Sequence, residues 1–229
     1  FALYTGFMLL MPYSDGSQTF LGQLAFGNNF AAYLDHLLLG PAHVYYASAT
    51  PFSFDPEGVF STIPAVVSGL SGVLIGHLLT AQSSQRLKIK QLLLIGICLS
   101  LSGWALHVVH PINKALWTAP FVIATSGLAC LSLVVLMWLL DEKHYRAWSA
   151  PFIVFGANSL LFFMFSGVVA RILIMIPVHD QSLQGWLFEC VYQPVFGNYN
   201  GSLAYAISFL IVSYVVFYAL YKRNIFWKV

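Results

Sequence analysis

The chain contains five apolar segments, each about twenty residues long. These runs cover about residues 60–81, 91–110, 117–140, 150–174 and 203–221. A helix of about twenty apolar residues is long enough to cross a hydrocarbon core of roughly 30 Å. Only 8% of the 229 residues are charged and 59% are hydrophobic. The sequence therefore predicts an all-α, polytopic transmembrane helix bundle with about five full spans.

The first twelve residues form a further apolar segment that is too short to cross a bilayer. Twelve helical residues extend about 18 Å, so residues 1–12 predict one partial span. The chain begins at Phe1 without a basic region or a small-residue cleavage site, and this segment is therefore not a signal peptide. We expect residues 1–229 to form a single transmembrane domain that is the C-terminal part of a longer protein.

Basic residues indicate the side of the membrane that each connection faces, because loops rich in Lys and Arg stay in the cytoplasm. Eight basic residues share one side: Arg86, Lys88, Lys90, Lys143, Arg146, Lys222, Arg223 and Lys228. Only Lys114 and Arg171 lie on the other side. This bias predicts a cytoplasmic C-terminus and two outward-facing loops, residues 13–60 and 175–202.

Charge and cysteine content argue against several functional classes. The net charge of +2 comes from the anchoring loops and gives no reason to expect a nucleic-acid partner. The three cysteines, Cys98, Cys130 and Cys190, are far apart and predict neither a disulfide framework nor a metal site. The chain also lacks a phosphate-binding glycine loop and a His/Cys zinc pattern. The lipid bilayer is the first partner that the composition predicts.

Polar chemistry is concentrated in residues 28–58. Four of the eight acidic residues lie between residues 13 and 60. Residues 29–39 predict a short amphipathic helix within the outer loop, lying on the membrane surface or on the bundle. Its apolar face is formed by Phe30, Leu34, Leu37 and Leu38. Asp35 and His36 point elsewhere, and they are either the solvent-exposed side of this helix or a polar pair lining a substrate cleft.

The segment Asp55-Pro56-Glu57-Gly58 immediately precedes an apolar span that begins near residue 59 or 60. Asp is a preferred N-cap, Pro suits the first turn of a helix, and an early Glu complements the helix dipole. A cap needs only one acid, whereas this turn has two. The alternative is therefore catalytic, with Asp55 and Glu57 binding an amino or hydroxyl group or accepting its proton.

Other polar residues near the spans are candidates for substrate binding. Asn158 lies well inside a span, so its amide must find either another helix or a ligand as its partner. Arg171, at the outer end of the same span, is suited to a phosphate or carboxylate, or to an acid of the outer loop. Asn113 and Lys114 lie at the outer end of another span and complete the set of predicted substrate contacts.

Two patterns outside this set have structural interpretations. Ser68, Gly72 and Gly76 recur every four positions, which predicts close packing against a neighbouring helix. His107 and His110 lie at the outer end of their span, where a histidine is either an interfacial residue or a proton carrier.

Five segments, in this order along the chain, resemble the signature segments of the heparan-alpha-glucosaminide N-acetyltransferase family. They read NNFAAYLDHLLLG, DPEGVFSTIPAVVSGLSGVLIG, PINKALW, GANSLL and YKRNIFWKV. The resemblance runs from about residue 20 to the C-terminus. Shorter loops than those of the lysosomal enzyme point to a bacterial relative of the DUF5009 or YeiB-like type. A multi-pass protein of the bacterial inner (plasma) membrane is therefore expected.

The resemblance implies an acyltransferase that takes an acetyl group from cytosolic acetyl-CoA. It would deliver this group to an extracytoplasmic amino sugar such as glucosamine, with a homodimer as a further expected assembly. Asp55 and Glu57 would orient or deprotonate the acceptor, Asp35 and His36 would line the outer cleft, and Asn158 would face a central cavity. The family's proposed catalytic histidine lies in an outer loop between N-terminal helices and has no counterpart here.

The main alternative is an inner-membrane transporter for N-acetylglucosamine or a related sugar. Some bacterial relatives are linked with use of that sugar, and a polar cavity between helices serves transport as readily as catalysis. A third interpretation makes the chain a scaffold whose reactive groups lie elsewhere in a longer protein.

Overall fold

A computed structural model describes residues 1–227, so Lys228, one of the eight basic residues that predict the orientation, lies outside the described residues. The described part is 68% helical, with six strands of only two residues each, which confirms an all-α polytopic fold. It forms two compact units, one from Phe1 to His144 and the other from Tyr145 onward. Each unit is considered by itself, and the single transmembrane domain remains a prediction.

The helices long and apolar enough to cross a membrane agree with the predicted spans. Among the described residues they are Thr62–Thr80, Gln85–Leu106, Ala119–Glu142 and Leu183–Lys222. A bent pair, Ala147–Ala157 and Ser159–Met175, adds a fifth span if it is counted as one. The orientation of these helices in the membrane remains a prediction from the basic residues.

The first unit consists of five α-helices and two short hairpins. The helices are α1 (Ala2–Leu10), α2 (Phe30–Leu39), α3 (Thr62–Thr80), α4 (Gln85–Leu106) and α5 (Ala119–Met137), which a π-turn extends to Glu142. The antiparallel hairpins pair β1 (Tyr13–Ser14) with β2 (Thr19–Phe20) and β3 (Leu24–Ala25) with β4 (Asn28–Asn29).

Helices α4 and α5 pack closely against each other in this unit. The glycines of α3 that were predicted to allow close packing do not take part in this contact. A Cβ at Gly103 would lie 2.6 Å from the backbone nitrogen of Ala124, and one at Gly127 would lie 2.5 Å from that of Ser100. Gly72 and Gly76 have no atom within 4 Å of such a position. The prediction of close packing through α3 was wrong because spacing identifies small residues but not the helix they face.

The segment predicted as an outer loop, residues 13–60, is a compact cap that shares a hydrophobic core with α1 and with the turn before α5. This core consists of Tyr4, Met8, Tyr13, Phe30, Ala31, Ala32, Phe52, Phe54 and Leu116. Helix α2 confirms the predicted helix, and the Asn29 side chain caps it by accepting the Ala32 N–H at 2.8 Å. Aromatic packing therefore orders the cap.

The predicted faces of α2 are right only in part. Phe30, on the predicted apolar face, is 6% exposed, and His36 is exposed. Leu37 and Leu38, assigned to the same apolar face, are 64% and 61% exposed, whereas Asp35 is only 2% exposed. Asp35 was expected to be exposed because burying a carboxylate without a partner is costly. Asp35 has partners in the chain beyond the helix, which helical periodicity does not show.

The second unit begins with a short 3₁₀ turn and contains α6 (Ala150–Ala157), α7 (Ser159–Met175), α8 (Leu183–Leu187) and α9 (Gln193–Lys222). The span predicted as continuous over residues 150–174 is bent by 75° at Asn158. The segment predicted as an outer loop, residues 175–202, contains the hairpin β5–β6 (Pro177–Val178 and Gln181–Ser182), and helix resumes from Leu183. Gln181 and Ser182 lie in this hairpin, and the helical part that follows is interrupted at Gly197, where φ is +73°.

Candidate functional site

Asp35 anchors the Asp55–Gly58 turn through hydrogen bonds to backbone N–H groups. The backbone N–H groups of Asp55 and Val59 donate to its two carboxylate oxygens at 3.3 and 3.0 Å. Burial raises the pKa of Asp35 above its usual value, against the opposing effect of these two hydrogen bonds. Asp35 is therefore not on the exposed side of α2, and its carboxylate fixes the position of the turn.

Gly58 allows this carboxylate to approach the turn. A Cβ at Gly58 would overlap both carboxylate oxygens of Asp35. The requirement is purely steric, since Gly58 has no positive φ. The N–H of Gly58 also closes the turn on the carbonyl oxygen of Asp55 at 3.1 Å.

Asp55 organises the same turn and does not cap the following helix. One of its carboxylate oxygens accepts the Glu57 N–H at 2.9 Å, and the other accepts the Tyr45 N–H at 3.1 Å. Helix α3 begins only at Thr62, with Ser61 as its N-cap residue. The N-cap prediction was therefore wrong, because the Asp55 carboxylate is engaged by nearer backbone groups within the cap.

Glu57 is the acid of this turn that remains available. It is exposed, and its carboxylate has no hydrogen bond or ion pair among the described residues. It lines a cavity of about 330 Å³, which we call the aromatic cleft, formed by Phe26, Tyr46, Phe54, Pro56, Glu57, Lys114, Ala115 and Trp117. The buried and hydrogen-bonded acids thus hold in place a turn that presents a free carboxylate.

One wall of the aromatic cleft is a triangle of rings from distant parts of the cap. The centroids of Phe26, Tyr46 and Phe54 lie 4.9 to 5.1 Å from one another. A β-bridge between Tyr46 and Phe54 fixes two of these rings. Sequence reasoning missed all three, and the only available signal was the aromatic content of residues 20–60.

The turn that contains Lys114 and Trp117 also lines the aromatic cleft. The Asn113 side chain accepts the N–H groups of Ala115 and Leu116 at 2.9 and 3.3 Å. Trp117 has a φ of +50°, and its indole N–H donates to the Ser68 hydroxyl at 2.9 Å. Asn113 was predicted to bind substrate, but here its amide oxygen orders the turn, while Lys114 is the residue that lines the cleft.

A smaller cavity of about 200 Å³ lies beside the aromatic cleft. It is formed by Pro56, Glu57, Ser61, Thr62, Ala65 and Trp117. Glu57 and Trp117 line both cavities, so one carboxylate and one indole are accessible from either side. Trp117 was absent from the predicted site residues, although it ends the PINKALW segment on which the family resemblance partly rests.

Histidines contribute to the cap but not to the aromatic cleft. The Nδ1 atom of His36 lies 2.8 Å from the Ser53 hydroxyl. His36 was predicted to line an outer cleft, but it is not among the residues that line the aromatic cleft. His110 is 5% exposed, and neither of its ring nitrogens has a hydrogen-bond partner within the described residues. Burial lowers the pKa of His110 below its usual value.

The other two predicted substrate contacts belong to the second unit. Asn158 is fully buried; its amide nitrogen donates to the Ile225 carbonyl at 3.0 Å, and its amide oxygen accepts the Trp227 N–H at 2.8 Å. Arg171 is exposed on α7, and its side chain has no partner in the described part of the chain. The Asn158 amide is therefore engaged by the C-terminal backbone, whereas Arg171 is free to bind an anion.

We expect Asn158→Ala to release the C-terminal segment from the bend between α6 and α7. The change removes two hydrogen bonds to the C-terminal backbone, each worth about 0.5–1.5 kcal/mol. Tryptic cleavage after Arg223 in detergent should become faster than in the wild type. Ser159→Ala is the control, since Ser159 is exposed. Equal cleavage rates for the two variants would contradict this role of Asn158.

The described residues contain no group of three or more His, Cys, Asp or Glu side chains placed to hold a metal ion.

An anionic donor such as CoA needs basic groups that are not already paired. Three basic residues lie in the first turns of α4. Arg86 pairs with Glu142 at 3.4 Å, and Lys88 donates to the Leu79 carbonyl at 2.6 Å. Lys90 is exposed without a partner among the described residues and fits such an anion.

Comparison with known proteins identifies two relatives, whereas no protein-family model matches the chain. Heparan-alpha-glucosaminide N-acetyltransferase of Mus musculus is 30% identical over 218 residues, covering 87% of the chain and 30% of that protein. The Homo sapiens protein of the same name is 31% identical over 185 residues, covering 71% and 28%. The chain is therefore related to these proteins and spans less than a third of their length.

Proposed function

We propose that this chain forms the acceptor-binding part of a membrane N-acetyltransferase. The acetyl donor is cytosolic acetyl-CoA, and the acceptor is an extracytoplasmic amino sugar such as glucosamine. We further propose that the protein is a DUF5009-type bacterial relative that resides in the inner membrane. The relatedness to proteins named N-acetyltransferase supports the reaction class, and the aromatic cleft supports the acceptor.

The observation that carries this proposal is the placement of Glu57 at the edge of an aromatic wall. Ligand sites are typically lined by apolar and aromatic groups, with a few polar groups that orient the ligand. The apolar face of a sugar ring fits the Phe26–Tyr46–Phe54 triangle, and a carboxylate beside it suits an ammonium group. Asp35 and Asp55 fix the turn, so Glu57 reaches the cleft from a rigid support.

Acetyl transfer to an amine requires the removal of protons from nitrogen. The acceptor ammonium must lose one proton to become nucleophilic, and a second as the C–N bond forms and the C–S bond breaks. Glu57 binds the ammonium and accepts a proton from it, while the thiol of CoA leaves with the other. Acetyl-CoA supplies the acetyl group as a thioester. Lys90 is the residue we expect to contact a phosphate of CoA.

The test is acetyl transfer across a membrane. The full-length protein is placed in liposomes with labelled acetyl-CoA on the cytoplasmic side and glucosamine on the other. We expect labelled N-acetylglucosamine to accumulate in the glucosamine compartment. Matched liposomes without protein measure spontaneous acetylation and leakage.

The same liposomes separate this function from transport. Movement of unmodified sugar without acetyl-CoA, together with no labelled product, would replace the transferase with a sugar transporter. Neither sugar movement nor transfer would leave the chain as a structural part of another activity.

A further inference from the structure

We propose that the acceptor carries an anionic group in addition to its amine, and that Lys114 binds this anion. The inference rests on the proposed function and concerns the same site. It assigns Lys114 the role of a specificity determinant and names the substrate class as amino sugars that bear a phosphate, sulfate or carboxylate.

The aromatic cleft contains one group of each charge. Glu57 and Lys114 line the same cavity of about 330 Å³, and its other lining residues are uncharged. Neither side chain forms an ion pair or a hydrogen bond within the described part of the chain. A ligand with one positive and one negative group satisfies both, whereas an amino sugar without an anionic group leaves the ammonium of Lys114 without a partner.

The backbone that carries Lys114 is ordered on both sides. Asn113 accepts two N–H groups of the turn, and the Lys114 carbonyl accepts the Trp117 N–H at 3.1 Å. Trp117 is in turn bonded to Ser68 on α3. The turn is therefore anchored independently of the lysine side chain, which leaves the ammonium available to a ligand.

The size of the cleft limits where the anion sits. A volume of about 330 Å³ is at the low end of the range for ligand pockets, roughly 300–1,000 Å³. It suits a single sugar ring with one substituent better than a longer saccharide. The amine at Glu57 and the anion at Lys114 are therefore expected on the same sugar ring. A lysine acts as a point charge, so phosphate, sulfate and carboxylate share this chemistry.

The experiment compares acceptors in the full-length protein. Glucosamine is the probe without an anionic group, and glucosamine 6-phosphate, glucosamine 6-sulfate and muramic acid carry the three anions. We expect the wild type to show a KM about tenfold lower for at least one anionic probe than for glucosamine, the size of one charge-assisted hydrogen bond. Lys114→Gln should raise the KM for that anionic probe about tenfold more than it changes the KM for glucosamine, which removes this difference. Lys143→Gln is the control for the lost charge.

A binding measurement distinguishes failure of this inference from failure of the proposed function. Absence of transfer to every probe in the wild type would overturn the proposed function, and titration of tryptophan fluorescence with the four probes would still test Lys114. Tighter binding of an anionic probe that disappears in Lys114→Gln supports the inference. Equal KM and binding for glucosamine and the anionic probes, or an equal effect of Lys114→Gln on both, overturns it.

Discussion

Glu57→Gln is expected to lower kcat/KM for acetyl transfer to glucosamine by about 10²- to 10⁴-fold, the usual contribution of general acid–base catalysis. The amide keeps the shape of the side chain but neither attracts an ammonium nor accepts its proton. Because Glu57 is exposed and its side chain has no partner among the described residues, the change should leave the fold unaffected. The measurement is initial transfer rate against acceptor concentration, with thermal unfolding of the same preparations.

Asp180→Asn is the matched control for Glu57→Gln. Asp180 is also an exposed acid without a partner among the described residues, but it lies in the hairpin of the second unit. Its kcat/KM should equal that of the wild type. Transfer by Glu57→Gln at the wild-type rate would remove Glu57 from the chemistry and, with it, the main support for the aromatic cleft as the acceptor site.

Gly58→Ala is expected to lower the free energy of unfolding by about 3 kcal/mol or more, combining about 1–3 kcal/mol for overpacking with about 1.5–3 kcal/mol for a lost hydrogen bond to a charged group. The added methyl group would overlap the Asp35 carboxylate. Asp35 is buried and accepts two N–H groups, so it has no free direction in which to move. Either the turn or α2 must shift, and Glu57 then loses its position.

Thermal unfolding in detergent measures this loss of stability. Gly69→Ala provides the control, because Gly69 lies within α3 and no atom lies within 4 Å of the place that the added methyl group would occupy. That change should be neutral or stabilising, since Ala is a better helix former than Gly by about 1 kcal/mol. Equal stability of Gly58→Ala and Gly69→Ala would show that the Asp35 carboxylate does not lie in contact with Gly58.

Helix content and the location of the polar site could be read from the sequence. Apolar runs long enough to cross a bilayer depend on composition over about twenty residues, so they predicted the first three full spans within about six residues at either end. The excess of acids in residues 13–60 pointed to the cap that carries Glu57. The break at Asn158 was missed because a single Asn within an apolar run does not determine whether the helix continues through it.

Roles within the site could not be assigned from residue type. Asp35, Asp55 and Glu57 are all acids in one polar segment, yet two are held by backbone N–H groups and only Glu57 is free among the described residues. The difference depends largely on hydrogen bonds between residues ten to twenty-four positions apart. Helical periodicity describes neighbours three and four residues apart and does not include such contacts.

The sequence by itself determined that this protein is a helical membrane protein with a polar segment beside its spans. Hydrophobicity decides this, because an apolar helix is stable in lipid whatever its neighbours are. Only the tertiary structure decided which acid keeps a free carboxylate and which residues line the same cavity. The aromatic triangle, Lys114 and Trp117 meet Glu57 because the chain folds the cap back onto the turn before α5. Such a meeting of distant residues is a property of packing that local sequence does not contain.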